Sequence, residues 1–151
     1  MTDVFRLLLP EIILAGMALV LMLMGISKSA TSRRTAPVLT LVALIAAFIA
    51  AYMQTDNLRY SGTMADPFNV VRLHEFGQYI KLLTAAVGVL LVLLAWPSND
   101  DATGNPSLHF GTEAAEFFSL MLLSLSGVLL TASANDMILL FLALELVSLP
   151  T

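Results

Sequence analysis

The residue with the most chemical consequence is Glu145, set in the run Asp136-Met137-Ile138-Leu139-Leu140-Phe141-Leu142-Ala143-Leu144-Glu145-Leu146-Val147-Ser148-Leu149-Pro150. It is the one carboxylate deep inside a long apolar stretch. A helix rises about 1.5 Å per residue, so nine steps from Asp136 carry Glu145 about 13 to 14 Å inward, near the midplane of a hydrocarbon layer about 30 Å thick. An acid at that depth costs roughly 3 kcal/mol on insertion scales, so it has to face protein or a hydrated cavity. Oil favours a neutral carboxylic acid and a nearby cation favours the carboxylate; a cation moving toward or away from such a group would therefore load or release a proton. That is the chemistry of a proton-translocating element. The competing use is structural: a glutamate that hydrogen-bonds helices together, through Ser148 on its own face. No Lys, Arg or His falls at comparable depth, since Lys81 stands near the beginning of its own apolar run and the others lie in connectors. The cation partner is expected outside these residues.

The remaining ionisable residues demand less. Glu11, Glu113 and Glu116 each fall within about a turn or two of a helix start, where carboxylates suit the positive end of the dipole, and they read as interfacial. Tyr79 and Trp96 suit the aromatic belt at a membrane surface. His74 and His109 sit in polar connectors with no second ligand at metal spacing, so they read as solvated and no metal site is expected. Cysteine is absent, which excludes disulfides, thiolate metal sites and a cysteine nucleophile. A net charge of -4 with scattered basic residues gives no nucleic-acid surface.

Composition indicates what must position Glu145. Of 151 residues, 58% are hydrophobic and 12% charged, and the mean hydropathy is +0.88. Soluble domains carry about 25% charged residues to wet their surfaces, so half that share points to lipid as the solvent. The expected fold is all-α, a polytopic transmembrane bundle of four complete helices and a truncated fifth. The spans run from about Leu7 to Ile26, Ala36 to Met53, Phe76 to Trp96 and Ala114 to Ala132, and the fifth begins near Asp136. It is still apolar at Pro150 and Thr151, so it reads as cut inside a helix.

The connectors are polar. Ser27 to Thr35 carries Lys28, Arg33 and Arg34, and Pro97 to Pro106 gathers Ser98, Asn99, Asp100, Asp101 and Gly104. In the longest connector, Gln54 to Glu75, Asp66-Pro67 has the form of a cap and first helical position, which would start the third helix early. Only Ser133, Ala134 and Asn135 separate the fourth and fifth helices, so these must form an antiparallel hairpin with Asp136 at the cap. The first span is no signal peptide, because Asp3 offsets Arg6, Pro10 and Glu11 interrupt its opening, and further spans follow. Lys and Arg are nearly balanced across the two sides; the dense first connector places itself in the cytoplasm and the N-terminus outside. Small residues share one face of the second helix (Ala43, Ala46, Ala47, Ala50) and one of the fourth (Ser124, Gly127, Thr131), as close helix packing in lipid requires.

Three segments carry a family resemblance: Leu8-Leu9-Pro10-Glu11-Ile12-Ile13-Leu14, Glu116-Phe117-Phe118-Ser119-Leu120-Met121-Leu122-Leu123-Ser124, and above all Asn135 through Pro150, of which Leu142-Ala143-Leu144-Glu145-Leu146-Val147-Ser148-Leu149-Pro150 is the most specific part. In these the chain resembles the antiporter-like subunits of NADH-quinone oxidoreductase, respiratory complex I, and among them the N subunits. The resemblance implies a fourteen-helix protein of which this is about the N-terminal third. Residues 1–113 would supply three preceding helices, and 114–151 would open the first of two inverted five-helix repeats. Glu145 would be the glutamate that pairs with a lysine on a later, broken helix. NADH, flavin, iron-sulfur clusters and quinone would be handled by other subunits, leaving this chain no cofactor of its own. Its partners would be the other membrane-arm subunits and the lipid of the inner (cytoplasmic) membrane, with no nucleic acid. A subunit of a multi-subunit cation/proton antiporter and a non-transporting membrane scaffold are the alternative readings.

Overall fold

The computed structural model describes residues 5, 7–26, 30–61, 64–65, 70–96 and 114–149. Their order is α1 (Leu9–Ile26), α2 (Ala30–Ser61), β1 (Met64–Ala65), β2 (Arg72–Leu73), α3 (Glu75–Leu94), α4 (Ala114–Ser133) and α5 (Met137–Ser148). Four of these helices are long and apolar enough to cross a membrane, the second over Thr35–Thr55. This is the expected all-α membrane bundle, with the shorter α5 as its fifth helix.

Each long helix turns a narrow stripe inward and leaves a broad apolar face outside. On α1 the buried residues are Pro10, Glu11, Leu14, Ala18, Leu21 and Gly25; on α3 they are Gly77, Gln78, Lys81, Ala85, Gly88 and Val92. The spacing of three and four is that of one helical face. Leu19, Leu23, Leu83, Leu90 and Leu94 lie exposed on the outside, a pattern stable only where the surroundings are oil. The fourth helix is the centre. It packs against all the other helices, and its Phe118, Leu122, Leu125 and Leu129 meet Leu14, Ala18, Leu21, Leu44, Ala47 and Val92 in one core.

Both small-residue faces pack as their composition requires. Ala43, Ala47 and Ala50 of α2 are buried and Ala46 half-buried. On α4, Gly127 lies against α5 so closely that a methyl group there would stand 3.0 Å from the Ala143 carbonyl oxygen and 2.9 Å from Val147 Cγ2. Ser124 Oγ donates to the Val147 carbonyl at 3.5 Å on the same seam. The α4–α5 hairpin forms as its short connector demands, and it is pinned: Asn135 N–H donates to the Val70 carbonyl at 3.0 Å, and Ala134 bridges Val71.

The longest connector departs from expectation. Residues 72–73 pair antiparallel with 64–65, Met64 opposite Leu73 and Ala65 opposite Arg72, so α3 starts at Glu75 and not early. The chain there is held extended by β1 on one side and by the Ala134 bridge on the other. Asp66-Pro67 lies outside the described residues. Asp136 occupies the cap position of α5 with an extended backbone, but its side chain makes no capping hydrogen bond.

Replacement of Gly127 by alanine is expected to destabilise the α4–α5 seam by about 1–3 kcal/mol, since backbone atoms of α5 cannot step aside as a side chain would. Gly16, with nothing within 4 Å of its added methyl, is the control, and Gly16→Ala is expected to be neutral or slightly stabilising. Thermal unfolding of the two variants in detergent compares them directly.

Candidate functional site

Glu145 stands where the helix register puts it, on α5 nine residues past Asp136, about 13 Å along the axis. The face of α5 turned to α4 is marked by buried Ala143 and by Val147. Two residues along a helix is about 200° of rotation, so Glu145 points away from α4. It is exposed there, between Leu144 and the half-buried Leu146, on a face that also carries exposed Phe141 and Leu142. Ser148 Oγ donates to the Glu145 backbone carbonyl at 3.1 Å. An acid on an apolar, outward helix face is costly against lipid, which supplies neither water nor a counter-charge.

A second polar site lies at one end of the bundle, where α1 and α3 begin and α4 ends. Lys81 Nζ and Glu11 Oε1 approach to 2.6 Å, with the lysine side chain 0% and the glutamate side chain 8% exposed. Ser133 Oγ, from the last turn of α4, shares its one hydrogen between the same Glu11 oxygen at 3.2 Å and the Leu129 carbonyl at 3.1 Å. Lys81 Nζ and Gln54 Nε2 both donate to the Leu7 carbonyl, each at 3.4 Å. Gln78, one turn before Lys81, donates through Nε2 to the Ala51 carbonyl and to Thr55 Oγ1 at 3.3 Å. Four helices thus contribute to one network, and its ionic centre joins α1, α3 and α4.

Close approach of the backbones makes this possible. A methyl group on Gly77 would stand 2.5 Å from the Ala132 carbonyl oxygen, so α3 meets the end of α4 at a residue without a side chain, one turn from Lys81 and one residue from Ser133. Leu7, whose carbonyl the network uses, forms a small buried apolar group with Val71 and Leu73, backed by Leu8, Val70 and Leu139. Among the described residues Glu11 and Lys81 are the only buried side chains that carry charge.

This corrects the interfacial reading of Glu11. It does lie in the first turn of α1, but on the inward stripe, where an ion pair takes the place of water and dipole. Lys81 does stand near the beginning of α3, as expected; what the sequence did not show is that it is fully buried and paired with Glu11. The missed signal was the register. Pro10, Glu11, Leu14 and Ala18, and Gly77, Gln78, Lys81 and Ala85, share one inward face in each helix, and opposite charges at matching depth on two such faces are candidates to meet. Glu116, Tyr79, Trp96 and His74 are exposed as expected; Glu113 and His109 lie outside the described residues. No three His, Asp or Glu side chains converge as metal ligands among the described residues.

No family model matches the sequence. Individual relatives do match, over nearly all of it. Subunit N of NADH-quinone oxidoreductase from Geobacillus sp. (strain WCH70) is 33% identical over 146 residues, covering 96% of this chain and 27% of that protein. Its counterpart from Rhodospirillum rubrum is 31% identical over 147 residues, 93% of this chain and 27% of that protein. F(420)H(2) dehydrogenase subunit N from Methanosarcina mazei is 29% identical over 149 residues, 95% of this chain and 28% of that protein. The chain therefore spans just over a quarter of the length of these relatives.

Lys81→Met is expected to strand Glu11 as an unpaired buried carboxylate and to lower stability by about 3–5 kcal/mol. Ser133→Ala removes one neutral hydroxyl donor and should cost only about 1 kcal/mol. Denaturant unfolding of the purified membrane protein would rank them; equal and small losses would contradict a buried ion pair.

Proposed function

The chain is related over nearly its whole length to the N subunits of NADH-quinone oxidoreductase, and from that premise we propose that it is part of a membrane-arm subunit through which electron transfer from NADH to quinone drives protons across the membrane. The intramembrane carboxylate that carries those protons is Glu145. One observation supports this above the others: an acid stands nine residues past Asp136 on the face of α5 turned away from α4, amid Phe141, Leu142 and Leu144. Such a group needs a counter-charge or confined water on that face, and a cation that approaches and retreats would change its hold on a proton.

The proposed division of the chain follows. Helices α1–α3, within residues 1–113, precede the repeat, while α4 and α5, within 114–151, open a proton-translocating repeat whose remaining helices bring the cation to Glu145. The redox steps take place on other subunits, so this chain contributes to the enzyme as a translocase component and needs no cofactor. The likeness to a subunit N of an F(420)H(2) dehydrogenase as well as of NADH-quinone oxidoreductases fits a part whose task does not depend on the electron donor. The subunit resides among other membrane-arm subunits in the inner membrane, with its N-terminus outside.

In membranes carrying the full-length subunit within its complex, Glu145→Gln and Glu145→Ala are both expected to lower NADH-driven proton transport at least about tenfold, the smaller part of what positioned acid–base groups contribute. A scaffold would behave differently, with Glu145→Gln pumping normally and Glu145→Ala affecting only assembly. Proton transport that follows sodium and ignores NADH and quinone would instead identify a cation/proton antiporter.

A further inference from the structure

We infer that Gly127 is a positioning residue for Glu145: its missing side chain lets α5 lie against α4 at the turn that bears the acid, and so sets how far the carboxylate reaches on the opposite side. This rests on the role proposed above for Glu145 and deepens it. The contact has two halves, one on either side of the acid. A methyl group on Gly127 would stand 3.0 Å from the Ala143 carbonyl oxygen and 3.0 Å from the Val147 amide nitrogen. In an α-helix those two atoms belong to one hydrogen bond, from an amide to the carbonyl four residues back, and Glu145 is the middle residue of the turn it closes. Ser124, three residues before Gly127, touches the same turn by donating to the Val147 carbonyl at 3.5 Å.

Little else fixes the spacing of that turn. Ala143 is the one buried residue among those described in α5, and α5 packs chiefly against α4. Its other fastening is at the hairpin, where Asn135 N–H donates to the Val70 carbonyl at 3.0 Å and Ala134 bridges Val71. Two supports thus hold the helix, one before its first residue and one at the turn of Glu145. Backbone atoms cannot turn aside, so a methyl on Gly127 has to push residues 143–147 away from α4 by a few tenths of an ångström, and Glu145 moves outward with them. Groups placed for chemistry lose activity steeply when moved, about a hundredfold for 1 Å. Gly88 offers the contrast. An added methyl there would meet Leu44 Cδ2 at 2.8 Å and Leu125 Cδ1 at 2.9 Å, which are side-chain ends from α2 and α4 and not the backbone of α5.

The test measures NADH-driven proton transport per assembled complex, in membranes carrying the full-length subunit within its complex. Gly127→Ala is expected to lower it about three- to tenfold, while Gly88→Ala, a crowded glycine away from α5, transports natively once assembled. Glu145→Asp withdraws the carboxylate by one methylene and should lower transport on its own. Combined with Gly127→Ala it opposes the outward push, so the double variant should exceed the product of the two single losses at least about twofold, whereas a packing role alone predicts the plain product. Native transport by Gly127→Ala, or losses that simply multiply, would overturn the positioning role and leave the proposed function standing so long as Glu145→Gln remains impaired. Native transport by Glu145→Gln would remove the proposed function and the positioning role together. Should Gly127→Ala not assemble, Ala143→Gly is read in its place. It deletes the buried side chain of α5, lets the same turn settle toward α4 and is expected to lower transport about threefold or more; native transport by it overturns the inference.

Discussion

Low dielectric is the constraint from which the rest of this structure follows. Inside a bilayer a charge or an unpaired peptide group has no water to turn to, so each has to be met by protein. The helices meet the peptide groups and the contact between Glu11 and Lys81 meets the buried charges. Placing that contact fixes much else: α1 and α3 must present their inward stripes at matching depth, α4 must end where Ser133 can join, and Gly77 must leave room for the Ala132 carbonyl. The desolvation of two such ions is repaid only when their geometry is good, which is why the pair is encased by helix backbones and not left at a groove.

Packing follows a different rule from that of soluble cores. Apolar side chains gain little by leaving lipid for a protein interior, so helices adhere through close backbone approach and through hydrogen bonds. The seam between α4 and α5 shows both, with Gly127 against Ala143 and Val147, and Ser124 reaching the Val147 carbonyl. It also orients the chemistry. By fastening Ala143 and Val147 to α4, the seam turns Glu145 to the opposite side of the same helix. A glycine on one helix thereby sets the direction of an acid on its neighbour.

Span number, helix type and the α4–α5 hairpin were legible in the sequence because each depends on local quantities: the length of an apolar run, its polar borders, and a connector of three residues. The position of Glu145 along α5 was legible for the same reason, since rise per residue needs no knowledge of neighbours. The Glu11–Lys81 pair was not read, because depth was judged by distance from a helix start while rotation about the axis was left unused. A residue in the first turn can face water or another helix, and only the stripe it belongs to tells which. The short ladder of Met64–Ala65 with Arg72–Leu73 was equally hidden. Two residues per strand carry almost no periodicity, and Asp66-Pro67 supplied a stronger helical cue than the tertiary bridge to Ala134 that holds this backbone extended.

That bridge has a mechanical consequence. Val71 is joined to Ala134 and Val70 to the Asn135 amide, so the turn between α4 and α5 is sewn to the segment leading directly into α3. A rocking of α5 about its upper end could not remain private to the hairpin. It would either pull the strip at 70–73 along as a stiff link, passing torque to the helix that bears Lys81, or break those main-chain ties. The two acidic sites, lying on different helices and at different depths, are in this sense hung from one hinge.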